Sequence, residues 1–219
     1  MLVRDCMTRH PILISPNWSA SEAERLMSEN RIRHLPVVED GKRLVGLITR
    51  QRLSMKPEML GSLNVWEISR YLADLKVKQM MIKRKLIVTV DEDRSVERAA
   101  SLMSENKIGC LPVLDDDDVV VGMLTEVDIS RAFQEMLGLP VDGLRVTVRM
   151  PNRPGEFAKL TRVLADRGWG VMGIGSFPTR NKPGFYDAVL KIPDVTEEEV
   201  RAELSKVEDQ EVVDVRSIV

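Results

Sequence analysis

Three short blocks of this chain occur twice, each time 76 residues apart, and that repetition constrains the fold more than any other feature. Leu26-Met-Ser-Glu-Asn30 returns as Leu102-Met-Ser-Glu-Asn106, Leu35-Pro-Val37 as Leu111-Pro-Val113, and Gly46-Leu-Ile-Thr49 as Gly122-Met-Leu-Thr125. One offset shared by separate blocks means that a whole supersecondary unit is duplicated. Each copy opens on a short apolar strand, residues 12–14 or 87–90, and continues into a helix over 19–30 or 95–106. Ser19 with Glu22 makes a capping box, and both helices end on Asn, which tolerates the left-handed conformation of a C-terminal stop. Ala23, Leu26 and Met27, and again Ala99, Leu102 and Met103, give these helices one apolar face. Two strands follow, 35–38 and 43–49 in the first copy, 111–114 and 119–125 in the second, with a further helix over 129–137 closing the second copy. The unit is therefore strand, helix, strand, strand, helix.

A sheet of so few strands, covered by helices on one face, leaves its other face in need of a partner. Two copies packed sheet to sheet bury those faces and leave clefts related by a pseudo-twofold axis. Between the copies, an apolar stripe of Val65, Trp66, Ile68, Leu72 and Leu75 after breaks at Pro57 and Gly61 predicts a helical connection. These boundaries divide the first part of the chain into 1–55, a linker over 56–76, and 77–137.

The net charge of −2 provides no general attraction to nucleic acid or an anionic membrane. No apolar run approaches the roughly 20 residues that span a bilayer, and the first residues lack a signal peptide's apolar block. Two cysteines, Cys6 and Cys110, make no disulfide framework. The expectation is a soluble protein of a reducing cytoplasm. His10 and His34 lie too far from any cysteine pair for a zinc site, and the acidic run from Asp115 to Asp118 lacks the alternating ligands of a calcium loop.

Thr125 and Asp128 stand three residues apart between an apolar strand and a helix. Such a pair can cap the helix, or it can bind a ribose, with Asp128 accepting from a sugar diol and Thr125 facing phosphate. The first copy differs: three positions after Thr49 stands Arg52, which has no acceptor for a diol. Arg31, Arg33, His34 and Arg50 cluster near it, and can offer positive charge to phosphates or form a solvated surface.

With Leu-Pro-Val, then Gly-apolar-apolar-Thr and an acid three residues on, repeated in tandem, residues 1–137 resemble a pair of cystathionine-β-synthase (CBS) domains, the Bateman module. The resemblance implies an adenosine ligand (AMP, ADP, ATP or S-adenosylmethionine) in an inter-repeat cleft, and disk-like homodimers. It places ribose and phosphate on Thr125 and Asp128, with Thr49 as the corresponding threonine. It also implies phosphate contacts from Arg33, His34 or Arg50, and leaves room for an adenine edge at Gly109 and Cys110. One nucleotide per chain is expected, and no cofactor is required.

After residue 143 the pattern changes to strand, helix, strand, strand, helix, strand, the order of a ferredoxin-like sandwich. Pro154 suits the first turn of its first helix, and Thr196 with Glu199 makes a capping box for its second. On Arg153-Pro154-Gly155, the amphipathic helix after it and the glycine turn at Gly168, residues 143–219 resemble an ACT domain, a small-molecule-sensing module. Asn152 and Gly170 depart from that family's usual Asp and Asn, and both positions belong to its amino-acid pocket. The domain order resembles the acetoin-utilisation AcuB-type regulators. No nucleophile setting, Walker A loop or Rossmann glycine pattern is present, so the chain reads as a non-catalytic regulator with an unidentified protein target. A dimerisation scaffold without ligand and a nucleotide-processing enzyme are the alternatives.

Overall fold

In the computed structural model, the described residues are 1–53, 74–139 and 141–217. The helical connection expected over 56–76 falls almost wholly outside them. The chain divides into two compact units, Met1–Ile129 and Ser130–Val219.

The first unit holds both repeats. The first contributes α1 (Val3–Cys6), β1 (Thr8–Arg9), α2 (Ala20–Glu29), β2 (His34–Glu39), β3 (Arg43–Thr49) and α3 (Arg50–Leu53). The second contributes α4 (Val77–Met80), β4 (Ile82–Lys83), a 3-10 turn (Arg84–Leu86), β5 (Val90–Asp91), α5 (Val96–Asn106), β6 (Cys110–Leu114), β7 (Val120–Thr125) and the start of α6 (Glu126–Met136). The repeats exchange their leading segments, which the sequence did not disclose. β1 pairs with β7 of the second repeat, and β4 pairs with β3 of the first. The helix starts are exchanged in the same way. Val3 N–H donates to Arg94 O and Val77 N–H to Trp18 O, each at 2.9 Å.

Residues related by the 76-residue offset also meet one another, as a local twofold requires. Arg43 bridges Val119, Leu44 packs with Val120, and Leu47 packs with Met123. Val77, carried in by the exchange, joins the first repeat's core of Ala23, Met27, Leu35, Val37 and Ile48. The same exchange explains the glycine of each Gly-apolar-apolar-Thr block. A Cβ on Gly122 would lie 2.4 Å from Met7 Sδ, and one on Gly46 would lie 2.3 Å from Met81 Sδ.

Three local expectations need correction. The leading strands are shorter than 12–14 and 87–90: Ile14 makes a single parallel bridge to Val37, and only Val90–Asp91 pairs in the second copy. Pro11 and Pro16 flank the first segment and have no N–H to donate. The left-handed residue after each helix is Arg31 or Lys107 instead of the asparagine. Asn30 and Asn106 serve through their side chains, donating to Leu26 O at 2.9 Å and Leu102 O at 2.8 Å. Finally, α6 starts at Glu126, directly after β7, and not at residue 129.

The second unit contains the rest of α6, then β8 (Leu144–Pro151), α7 (Glu156–Asp166), β9 (Gly173–Pro178), β10 (Phe185–Ile192), α8 (Glu197–Leu204) and β11 (Glu211–Ser217). Its sheet is antiparallel throughout in the order β11-β8-β10-β9. Leu160 and Leu164 of α7 and Val200 and Leu204 of α8 share one core with Val146, Val148, Leu190 and Ile192, so both helices cover the same face. The other face is polar. Arg149 Nε donates to Asp187 at 2.8 Å, Thr179 Oγ1 donates to the same carboxylate at 2.9 Å, and Arg145 reaches Asp214 at 3.2 Å. Lys191 is only 2% exposed, and its ammonium has no hydrogen-bond partner among the described residues.

Candidate functional site

Within the first unit the repeats enclose a cleft of about 950 Å³. The sequence brings its polar lining together from four stretches of the chain. Arg33 stands in the turn after α2 and His34 opens β2; Thr49 ends β3, and Arg50 and Arg52 lie on α3. Lys107 is the left-handed cap of α5, followed by Ile108, Gly109 and Cys110 at the start of β6, and Glu126 opens α6. Strand pairing fixes these relations, because His34 lies opposite Thr49 in the β2–β3 ladder. An apolar wall of Leu47, Ile82, Leu86 and Ile87 completes the cleft. Six of the eight residues read from the sequence as nucleotide contacts therefore share one cleft: Arg33, His34, Thr49, Arg50, Gly109 and Cys110.

Their chemical states differ. Burial, reinforced by the Arg33 charge, lowers the His34 pKa below the usual imidazole value, with Glu126 acting in the opposite direction. Near neutral pH the ring is an uncharged hydrogen-bonding group and adds no positive charge. Burial, with a smaller contribution from Glu126, pushes the Cys110 thiol up to about 12, which leaves almost no thiolate for nucleophilic chemistry. Arg50 Nη2 donates to Met27 O at 3.2 Å and Ile32 O at 3.4 Å, so its guanidinium closes the C-terminal end of α2. At Gly109 a Cβ would lie 3.2 Å from Glu126 Oε2, so the absent side chain gives that carboxylate its place. Sequence reasoning missed Glu126, and placed Lys107 beside Gly109 and Cys110 without giving it a contact. The signal was available, since by the 76-residue offset Glu126 and Lys107 correspond to Arg50 and Arg31 of the basic cluster.

Thr125 and Asp128 do not line this cleft. Their side chains form a capping box at the start of α6: Thr125 N–H and Oγ1–H donate to Asp128 Oδ2 at 2.8 and 2.7 Å, and Asp128 N–H donates to Thr125 Oγ1 at 3.4 Å. The capping use is thus realised. The single site expected to join Asp128 and Thr125 with Arg33, His34 and Arg50 is divided, because the β2–β3 ladder of the first repeat sets those side chains beside Thr49.

In the second unit, Gly155 takes φ +91° as the N-cap of α7, and a Cβ there would have nothing within 4 Å, so conformation alone calls for glycine. Pro154 precedes that cap and is not in the helix's first turn. Asn152 N–H donates to Gly184 O at 2.8 Å. A Cβ at Gly170 would meet Pro193 at an ordinary 3.7 Å. Arg153 Nε donates to Glu156 at 2.8 Å and its Nη2 to Asp209 at 2.5 Å. Glu156, also unforeseen, is 2% exposed. The Lys159 ammonium and the Arg153 guanidinium, with the Gln210 amide, hold its carboxyl down at about 2. Among the described residues no group of His, Cys, Asp and Glu is arranged to hold a metal ion, and no helix is long and apolar enough to cross a membrane.

Comparison with known proteins bears on the first unit. The CBS domain profile matches residues 3–56 and 77–135, together more than half of the chain. L-aspartate semialdehyde sulfurtransferase of Methanocaldococcus jannaschii is 35% identical over 132 residues, covering 60% of this chain and 23% of that protein. The chain spans about a quarter of the length of the first curated relatives it matches. Among solved structures, a Vibrio cholerae protein assigned to acetoin utilisation (AcuB) aligns with TM-score 0.52 at 29% identity, over 64% of this chain and 95% of that one. The CBS-pair protein CBSX2 of Arabidopsis thaliana aligns with TM-score 0.51 at 27% identity, over 60% and 93% respectively. With two matched segments that coincide with the two exchanged repeats, this chain belongs to the CBS domain family.

Proposed function

We propose that the protein is a non-catalytic sensor that binds an adenosine nucleotide between its CBS repeats and relays occupancy to its C-terminal unit, read as an ACT domain. The observation that carries this reading is the make-up of the cleft. A base can lie on Ile82, Ile87 and Ile108 beside Gly109, while phosphates meet Arg33, Arg52 and Lys107 on the rim. Charge-assisted hydrogen bonds from guanidinium and ammonium groups suit phosphate oxygens, and the apolar wall suits a purine face. This cation-rich rim favours AMP, ADP and ATP over the sulfonium of S-adenosylmethionine.

The relay rests on Glu126, which lines the cleft and opens α6. At the other end of that helix, in the second unit, Leu137 packs so tightly on β9 that a Cβ on Gly173 would lie 2.3 Å from its carbonyl carbon. A ligand that prefers one setting of Glu126 biases the helix that carries it, a shift of population between existing states. Homodimerisation, an unidentified protein target, and a place in acetoin or carbon metabolism complete the proposal.

Titration calorimetry with AMP, ADP and ATP on the full chain and on Arg33→Gln tests the site. Loss of one charge-assisted contact weakens binding by roughly 1.5–3 kcal/mol, tenfold or more. Equal affinities for the two proteins remove the cleft from consideration. A second reading keeps the ribose on Asp128, favoured by one observation: both Thr125 donors converge on Oδ2, so the capping box orients the carboxylate and engages only one of its oxygens. Under that reading Asp128→Ala, and not Arg33→Gln, abolishes binding.

A further inference from the structure

The cleft presents an imbalance of charge that a nucleoside alone would not answer. Arg33, Arg52 and Lys107 come from three separate segments, converge on its rim, and hold no ion pair among the described residues. Elsewhere in the first unit arginines do find carboxylates: Arg4 with Asp93, Arg25 with Glu29, Arg84 with Asp118, Arg94 with Asp91 and Arg98 with Glu105. The one carboxylate among the described lining residues is Glu126. Like charges gathered over an apolar wall focus their field on whatever enters, and repel one another until an anion arrives. At the position where the other repeat carries Asp128, this cleft carries Arg52. A guanidinium donates only, so it cannot accept from a ribose diol, whereas it matches two oxygens of a phosphate chain.

We infer that this cleft recognises a phosphate chain and not a sugar: its ligands are di- and triphosphates, whatever group carries them. This rests on the reading above that the cleft is the ligand site, and it adds a rule of selectivity to it. Contacts made to phosphate oxygens rank ligands by charge, so ATP and ADP bind more tightly than AMP, and adenosine least. Removing both ribose hydroxyls costs little, because the position equivalent to Asp128 carries the donor Arg52 and the one lining carboxylate, Glu126, belongs to the other repeat.

The test is calorimetry on the full chain with ATP, 2′,3′-dideoxy-ATP, AMP, adenosine and inorganic tripolyphosphate, repeated with Arg52→Asp and with Arg33→Gln combined with Lys107→Gln. The expected result is that ATP and dideoxy-ATP bind within about threefold of each other, that tripolyphosphate competes with ATP, and that adenosine binds about a hundredfold more weakly, as two lost charge-assisted contacts require. Both variants should bind tripolyphosphate at least about tenfold more weakly, with circular dichroism unchanged. If dideoxy-ATP binds tenfold or more weakly than ATP, or adenosine binds as tightly as ATP, the inference is overturned and the nucleotide reading survives. If tripolyphosphate binds as tightly as ATP and the base adds nothing, the inference stands and the adenosine reading falls. Absence of binding by every probe overturns both.

Discussion

Replacing Gly122 by alanine tests the exchange of leading segments that defines the first unit. The new Cβ would lie 2.4 Å from Met7 Sδ, 3.2 Å from its Cγ and 3.3 Å from its Cε, where ordinary contact begins at 3.4 Å. Met7 is 8% exposed, just before β1, so its sulfur has to retreat by about an ångström into packed surroundings. Overpacking of this kind costs about 1–3 kcal/mol. Alanine also restricts the unfolded chain, which stabilises by about 0.4–1 kcal/mol. The net expectation is a loss of about 1–2 kcal/mol in urea unfolding, seen as a lower midpoint at an unchanged slope. Met7→Ala removes the obstruction at its own cost of about 2–5 kcal/mol. In that background Gly122→Ala becomes neutral or mildly stabilising, a coupling of about 1–2 kcal/mol between the two sites. Equal, additive effects in both backgrounds would show that the methionine of the exchanged segment does not press on this glycine, and would refute the packing described for β1 and β7.

Three further outcomes follow from single side chains. Lys191→Met replaces a buried ammonium that has no hydrogen-bond partner among the described residues by a thioether of similar length, and should raise the second unit's unfolding free energy by about 1–3 kcal/mol; a destabilised variant would mean that the ammonium has a partner in solution. Glu156 is a carboxylate whose folded pKa, about 2, lies below its unfolded value of 4.5, so its stabilisation is present above the unfolded value and is lost as pH falls from about 5 toward 2. Glu156→Gln should therefore flatten the acid limb of the second unit's stability profile between those values, and an unchanged limb would contradict the Lys159 and Arg153 contacts. Iodoacetamide at pH 8 should leave Cys110 unmodified until the chain is unfolded, since its thiol titrates near 12; peptide mapping that finds Cys110 alkylated in the folded protein would refute its burial.

The repeat made the element order of the first unit readable, because helix and strand periodicities agree in both copies and each capping residue falls where the helix starts. Ser19 and Ser95 are examples, each accepting from the backbone N–H three residues on. What the sequence could not disclose was which copy each leading segment joins. Exchange conserves local pattern and alters only long-range pairing: Thr8 looks the same whether it meets its own sheet or Met123 of the other. The site inherited that blindness. Arg33, His34, Thr49, Gly109 and Cys110 were recognisable as site residues from their position near the repeated blocks. Arg33 and His34 stand beside Thr49 through the first repeat's own β2–β3 ladder, and what depended on long-range pairing was their meeting with Gly109 and Cys110 of the other copy in one cleft. Glu156 was hidden for another reason: Arg153 and Lys159, three residues to either side, look like ordinary surface pairing in the sequence, and the third partner, Gln210, which donates to it at 3.2 Å, lies far along the chain.

Hydrogen exchange of the full chain, with and without saturating ATP, tests the central claim most directly, because it reports where a ligand lies without altering any residue. Binding in the inter-repeat cleft predicts slowed exchange in three separated stretches, residues 33–34, 49–53 and 107–110, all of which line it. Protection confined to residues 125–128, or to the second unit, or an exchange pattern that ATP leaves unchanged, would contradict it.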